Sequence, residues 1–187
     1  MKALNLKMKK DIILKVNSLC FLRVLNEGDV SKDYISWLND YEVSKYTQQR
    51  FIEHNFKSVK DFVMQKLRSS VDILFGIFYN NTHIGNIKLG PIRWEHKSAE
   101  ISYFIGDKNF WRKGIASNVV KRVVEYAVND LFLEKINSAY IEPNIGSAKV
   151  LKKCGFLVEG ERVSEMMFEN ERINLILVGL VVKHITN

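Results

Sequence analysis

The run Phe110-Trp111-Arg112-Lys113-Gly114-Ile115-Ala116 leads at once into a long amphipathic segment. A glycine turn that opens directly into a helix presents unpaired backbone N–H groups at the positive end of the helix dipole, where a diphosphate can sit. Two familiar phosphate loops are excluded. The chain has no G-x-x-x-x-G-K-[ST], and no G-x-G-x-x-G with an acidic residue about 20 positions on. Cys20 and Cys154 are the only cysteines, and no histidine is placed by sequence to activate Cys154 as a nucleophile. Core packing is the better reading for it.

The elements that must position this loop follow from periodicity. Ile115, Val119, Val120, Val123, Ala127 and Leu131 recur with helical spacing, so the segment after the loop is a helix to Leu131. Before the loop, Val71–Tyr79, Ile84–Leu89 and Ala99–Ile105 read as strands, the first two joined by a tight turn at Asn80-Asn81-Thr82-His83. After it, Lys135–Ile141 is a strand and Gly146–Cys154 a short helix closed by Gly155. Glu165–Phe168 and Ile173–Val182 close the chain as two strands. Near the start, Leu19–Leu25 is a strand with a short partner at Ile12–Val16. Asp29 or Ser31 caps a helix to Asn39, and Ser58 with Asp61 opens a second helix. Strands and helices in this order fit an α/β (α+β) sheet with parallel and antiparallel neighbours.

A chain of 187 residues, 47% apolar and 26% charged, fits one soluble domain over 1–187, with 1–10 flexible and a core over about 20–183. Two cysteines imply no disulfide framework, and no apolar run approaches the length of a membrane span. The apolar stretch after the N-terminal lysines is too short for a secretory signal, so a cytoplasmic protein is expected. The net charge of +7 is spread along the chain. It gives mild support to a phosphate-bearing ligand and no argument for nucleic acid or membrane.

With its neighbours, the loop resembles the coenzyme A pyrophosphate loop of the GNAT acetyltransferase superfamily, usually Q/R-x-x-G-x-G/A. Gly114 and Ala116 fit, and Trp111 stands at the Q/R position. That substitution is similar to the ribosomal-protein N-acetyltransferase (RimJ/RimL-like) branch, as are Asn144-x-x-Ser147 and Lys153-Cys154-Gly155-Phe156. The resemblance covers Leu22 to Val182. It implies a single GNAT-type domain: a mixed, mostly antiparallel twisted sheet of about seven strands with about four helices, splayed between two central parallel strands. It also implies acetyl-CoA as co-substrate and no metal, and it is compatible with a homodimer. Phe104, Ile105 and Gly106 would hold pantetheine, as would Asn144. Backbone groups of Arg112, Lys113, Gly114, Ile115 and Ala116 would hold the pyrophosphate, with a side-chain contact from Lys113 or Arg112.

The transfer needs an amine that loses a proton, a polarised thioester carbonyl and a stabilised leaving thiolate. By resemblance Glu100 is the base, acting through water, and Ser147 sits by the sulfur. The tyrosine many relatives carry after the asparagine is Leu151 here, and a glutamate expected about nineteen positions after Ser147 is Met166. The early segment Trp37-Leu38-Asn39-Asp40-Tyr41-Glu42-Val43, then Tyr46 and Arg50, resembles the acceptor helices of enzymes acting on sugar nucleotides. Trp37, Tyr46 and Arg50 would then meet an amino sugar on a nucleotide carrier, by aromatic stacking and by arginine on diphosphate. Trp94-Glu95-His96 would rim the same cleft. A protein N-terminus or a polyamine is the alternative acceptor. A coenzyme A-binding or basic nucleic-acid-associated protein without catalysis is the alternative class.

Overall fold

A computed structural model describes Lys9 and residues 11–182. In chain order the elements are β1 (Ile13–Lys15), β2 (Cys20–Val24), α1 (Lys32–Asn39), α2 (Tyr41–Ser44), α3 (Phe56–Arg68), β3 (Ile73–Tyr79) and β4 (Thr82–Arg93). Then come β5 (Ser98–Ile105), α4 (Ile115–Asn129), β6 (Lys135–Ile141), α5 (Ile145–Lys153), β7 (Leu157–Phe168) and β8 (Glu171–Val181). The strands form one sheet in the order β1-β2-β3-β4-β5-β6-β8-β7. All neighbours are antiparallel except β5 and β6.

Helices cover both faces. Val119, Val120, Val123 and Ala127 of α4 pack on one face with Ile87, Ile101 and Ile136, while Tyr34, Val59 and Val63 of α1 and α3 pack on the other with Leu74 and Phe78. The central strand β3 therefore reads as a continuous apolar run, ILFGIFY, with no alternation. Each fully buried Val, Ile or Phe side chain contributes about 1.5–3 kcal/mol by leaving water. The turn between β3 and β4 consists of Asn80 and Asn81, both left-handed (φ 46° and 62°), in the two-residue hairpin form that matches strand twist.

The fold class, the single sheet and the parallel central pair agree with the sequence reading, and several boundaries differ. The described residues hold eight strands and five α-helices. The added helix is the one-turn α2, capped by Asp40. Ser31, not Asp29, caps α1, because Asp29 is held by Arg23. Helix α3 starts at Phe56, where Asn55 accepts from Ser58 N–H and Ser58 Oγ answers the Asn55 N–H. That reciprocal box lies one frame ahead of Ser58 and Asp61. Strand β7 starts at Leu157 instead of Glu165. Its first half is exposed and broken by bulges, with Ser164 left-handed, so pairing with β8 holds it rather than burial. The expected flexible segment 1–10 lies outside the described residues apart from Lys9. No helix among the described residues is long and apolar enough to cross a membrane.

Candidate active site

Strands β5 and β6 pair over only three positions, Ser98–Glu100 against Lys135–Asn137. Beyond them Ser138 Oγ donates to the Ile101 carbonyl at 2.9 Å, and the strands then part. The gap is a cleft of about 600 Å³. The end of β5, the Phe110–Ala116 loop, the first turn of α5, and the residues of α2 with the following Tyr46 and Thr47 line it. Backbone groups at Phe104 and Gly106 are turned away, since the Phe104 carbonyl lies over Gly85 and Gly106 N–H donates to Ile84 O at 2.8 Å. By alternation the backbone groups of Tyr103 and Ile105 face the gap, where those of Tyr103 and the Ile105 N–H can receive an extended chain as an added strand would, the Ile105 carbonyl being engaged by Trp111. The backbone groups of Phe104 and Gly106, which the sequence reading gave to pantetheine, are thus engaged with β4, while those of Tyr103 face the gap.

The loop is built to leave amides free. Arg112 and Gly114 are both left-handed (φ 61° and 74°). Ser31, Asp40, Asn55 and Asn144 cap α1, α2, α3 and α5 with side-chain hydrogen bonds, whereas α4 starts at Gly114 with no side-chain cap. Its first N–H groups therefore remain available, at the end of a 15-residue helix whose dipole places about half a positive charge there. A Cβ at Gly114 would meet nothing within 4 Å, so the ground in front of the loop is open. The residues fit the diphosphate of coenzyme A. Arg112 lines the cleft, while the Lys113 ammonium lies 5.3 Å over the Phe110 ring and outside it.

Trp111, the departure from the family's Q/R, has a structural use. Its Nε1–H donates to the Ile105 carbonyl at 2.8 Å, bracing the loop against the end of β5. Trp111→Phe keeps the ring and loses this bond, worth about 1 kcal/mol. We expect a roughly fivefold weaker acetyl-CoA Kd by calorimetry, with Tm within a few degrees of wild type. Unchanged affinity would show that the brace does not shape the loop.

On the opposite wall Asn144 Oδ1 accepts from Ser147 N–H at 3.0 Å, starting α5. Ser147 Oγ lies 3.0 Å from Tyr103 Oη. Sequence reasoning missed this phenol. The signal available was the alternation that puts Tyr103 with Ile101 on the face toward α5. Leu151, at the usual tyrosine position, is buried in the core. The Cys154 thiol lies 3.4 Å from the Ser117 carbonyl, and burial pushes its pKa up, so it is a poor nucleophile. Burial also pushes the Cys20 thiol up, to about 11.

The remaining candidates divide. Tyr46 lines the cleft and stacks on Phe168 (centroids 5.5 Å apart, planes 24° apart). Arg50 stands outside, its guanidinium donating to the carbonyls of Thr47 and Met167, both at 2.7 Å. With the Tyr41–Glu169 hydrogen bond at 3.2 Å, these contacts tie the α2 region to the β7–β8 turn. Trp37 is packed against Gly106, where any Cβ would overlap its indole. Glu100 does not line the cleft. It sits half-exposed on the β5 face shared with Ser102, with Arg93 Nη1 at 3.7 Å. Trp94-Glu95-His96 forms the turn before β5, at the far end of that eight-residue strand and about 25 Å from the mouth of the gap. It does not rim the cleft.

A central parallel pair that opens into a cleft, with an uncapped helix at its mouth, suits an extended ligand that carries a diphosphate. Residues 20–157 match the family model described as "Acetyltransferase (GNAT) domain". The uncharacterized N-acetyltransferase YoaA of Bacillus subtilis (strain 168) is 31% identical over 165 residues, covering 84% of this chain and 89% of that protein. Among solved structures, RimL, a ribosomal L7/L12 alpha-N-protein acetyltransferase in complex with coenzyme A, superposes with a TM-score of 0.83 at 15% identity. The match covers 91% of this chain and 98% of RimL. The spermidine N-acetyltransferase from Vibrio cholerae, in complex with CoA and spermine, gives 0.78 at 23% identity, covering 88% and 96%. At these identities the superpositions speak for the fold alone. The chain belongs to the GNAT acetyltransferase family. It is an N-acetyltransferase with acetyl-CoA as co-substrate.

Proposed function

We propose that the acceptor is a small primary amine, an amino sugar on a nucleotide carrier, and that Glu100 draws the amine's proton off through water. The aromatic wall of Tyr46 on Phe168 supports the acceptor, since it offers a stacking surface beside the thioester end of the cleft. The carboxylate on that wall, Glu42, is already paired with Lys45 at 2.8 Å. A polyamine would have to displace that lysine, which argues against a polycationic acceptor. Arg50, spent on two carbonyls, shapes the wall by holding Met167 and Phe168 and leaves the diphosphate to other groups.

Competition followed by mass spectrometry tests the acceptor. The protein and acetyl-CoA are mixed with one pool of UDP- and dTDP-linked amino sugars, polyamines and short peptides with N-terminal Ser or Ala. The expected result is an acetyl increment on a nucleotide sugar. Acetylated peptide or polyamine, with the sugars untouched, overturns this acceptor. If no member of the pool is acetylated although acetyl-CoA binds, the acceptor lies outside these three classes and the amino-sugar reading falls.

The base has its own test. Glu100 is half-exposed on a β5 face that a water can reach, with Arg93 Nη1 at 3.7 Å. Positioned base catalysis contributes about 10²-fold or more. Glu100→Gln is expected to lower kcat/KM by about that factor, while acetyl-CoA affinity is unchanged. A wild-type kcat/KM in this variant assigns the base elsewhere.

A further inference from the structure

We propose that Tyr103 is a positioning residue: its phenol donates to Ser147 Oγ, so that the serine's own proton points into the cleft, toward the sulfur that leaves. The inference rests on reading the cleft as the thioester site. It is carried by a cross-gap contact, because Tyr103 comes from the splayed end of β5, Ser147 from the first turn of α5, and their oxygens lie 3.0 Å apart. Both residues line the cleft.

A serine hydroxyl holds one proton and rotates to suit its neighbours. In the first turn of a helix its usual outlet is a carbonyl of the preceding turn. A phenol that donates to the oxygen occupies a lone pair and leaves the serine proton free for another acceptor. Among the described residues, Ser147 Oγ is the hydrogen-bond partner of the Tyr103 hydroxyl. Asn144 meanwhile fixes the Ser147 backbone through its N–H. Burial pushes the Tyr103 phenol up to about 12, so it stays protonated and remains a donor at working pH. Cys154 is the other titratable group close to it, and its thiol is held protonated by burial.

In the transfer the amine nitrogen bonds to the thioester carbonyl carbon, the C–S bond breaks, and sulfur leaves with the bonding pair. The amine's proton goes to water on the Glu100 side. No proton leaves Tyr103. Ser147 donates a hydrogen bond to the sulfur as negative charge grows there, and Tyr103 keeps that donor aimed.

The test uses wild type, Tyr103→Phe, Ser147→Ala and the double variant. Each is loaded with free coenzyme A, and the ultraviolet absorbance of the bound thiolate is followed against pH. Losing one aimed donor to a charged acceptor should reduce bound thiolate at a fixed pH by roughly tenfold in either single variant. kcat should fall by about ten- to a hundredfold, the acetyl-CoA Kd should stay within about twofold, and the double variant should match Ser147→Ala. A wild-type thiolate titration in Tyr103→Phe overturns the proposal. So does a lower kcat with no change in that titration, or a further loss of equal size when Tyr103→Phe is added to Ser147→Ala. Phenylalanine keeps the ring that packs under α5. If that variant nevertheless fails to fold, Ser147→Ala alone must still move the titration for the proposal to stand. If wild type does not bind coenzyme A, the reading of the cleft falls and the proposal falls with it.

Discussion

Gly114→Asp is expected to raise the Kd for acetyl-CoA at least about a hundredfold, measured by calorimetry, while Tm changes by only a few degrees. The two halves of that expectation have separate causes. Gly114 is left-handed (φ 74°), a conformation aspartate tolerates better than most residues at a cost of about 1–2 kcal/mol. The new carboxylate sits at the start of α4, where a negative charge is favoured by the helix dipole and offsets part of that strain. The same carboxylate stands in the open ground that the uncapped amides face. Two like charges about 4 Å apart repel by about 4 kcal/mol at an effective dielectric of 20. That is about a thousandfold in affinity before screening. Gly114→Ala, which adds the strain without the charge, should stay within about tenfold of wild type. If the aspartate variant binds acetyl-CoA as wild type does, the diphosphate is seated elsewhere.

Gly106→Val should lower Tm by about 2–12 °C, since overpacking costs about 1–3 kcal/mol and each kcal/mol moves a domain of this size by about 2–4 °C. The cause is specific. Gly106 follows β5 and carries the Trp37 indole on its Cα, so any Cβ overlaps the ring. Trp37 belongs to α1, which packs with Tyr34 and Leu38 on the sheet face that carries Leu74 and Phe78. Pushing it outward shifts the α1–α2 wall, and with it Tyr46, relative to Tyr103 and Ser147 across the cleft. Turnover should therefore fall by about tenfold or more while acetyl-CoA affinity holds. In a Trp37→Leu background the collision is absent, and Gly106→Val should cost measurably less. Equal cost in both backgrounds would mean that the indole is not what the valine meets.

This second case shows where sequence reasoning stopped. The sequence reading named Trp37 for the acceptor and Gly106 for pantetheine, and neither lines the cleft. Their packing against each other, 69 positions apart in the chain, was not legible. Likewise the resemblance carried by the Trp37–Val43 pattern implied Arg50 as a diphosphate ligand, and its guanidinium donates instead to the carbonyl of Met167, 117 positions on. The Tyr103–Ser147 contact spans 44 positions and crosses a gap between strands that hydrogen bonding does not join there.

What the sequence determined by itself is what local physics decides. Glycine at the mouth of a helix with apolar residues at helical spacing required the Gly114 loop and α4. Two asparagines required the β3–β4 turn, and a continuous apolar run required a strand covered on both faces. Only the tertiary structure decided which side chains meet across the cleft. The sheet order β5-β6-β8-β7 brings the far hairpin round to the α2 region and leaves β5 and β6 parted beyond Glu100. Those meetings depend on strand order and on where a pairing ends, and neither leaves a period or a spacing in the chain.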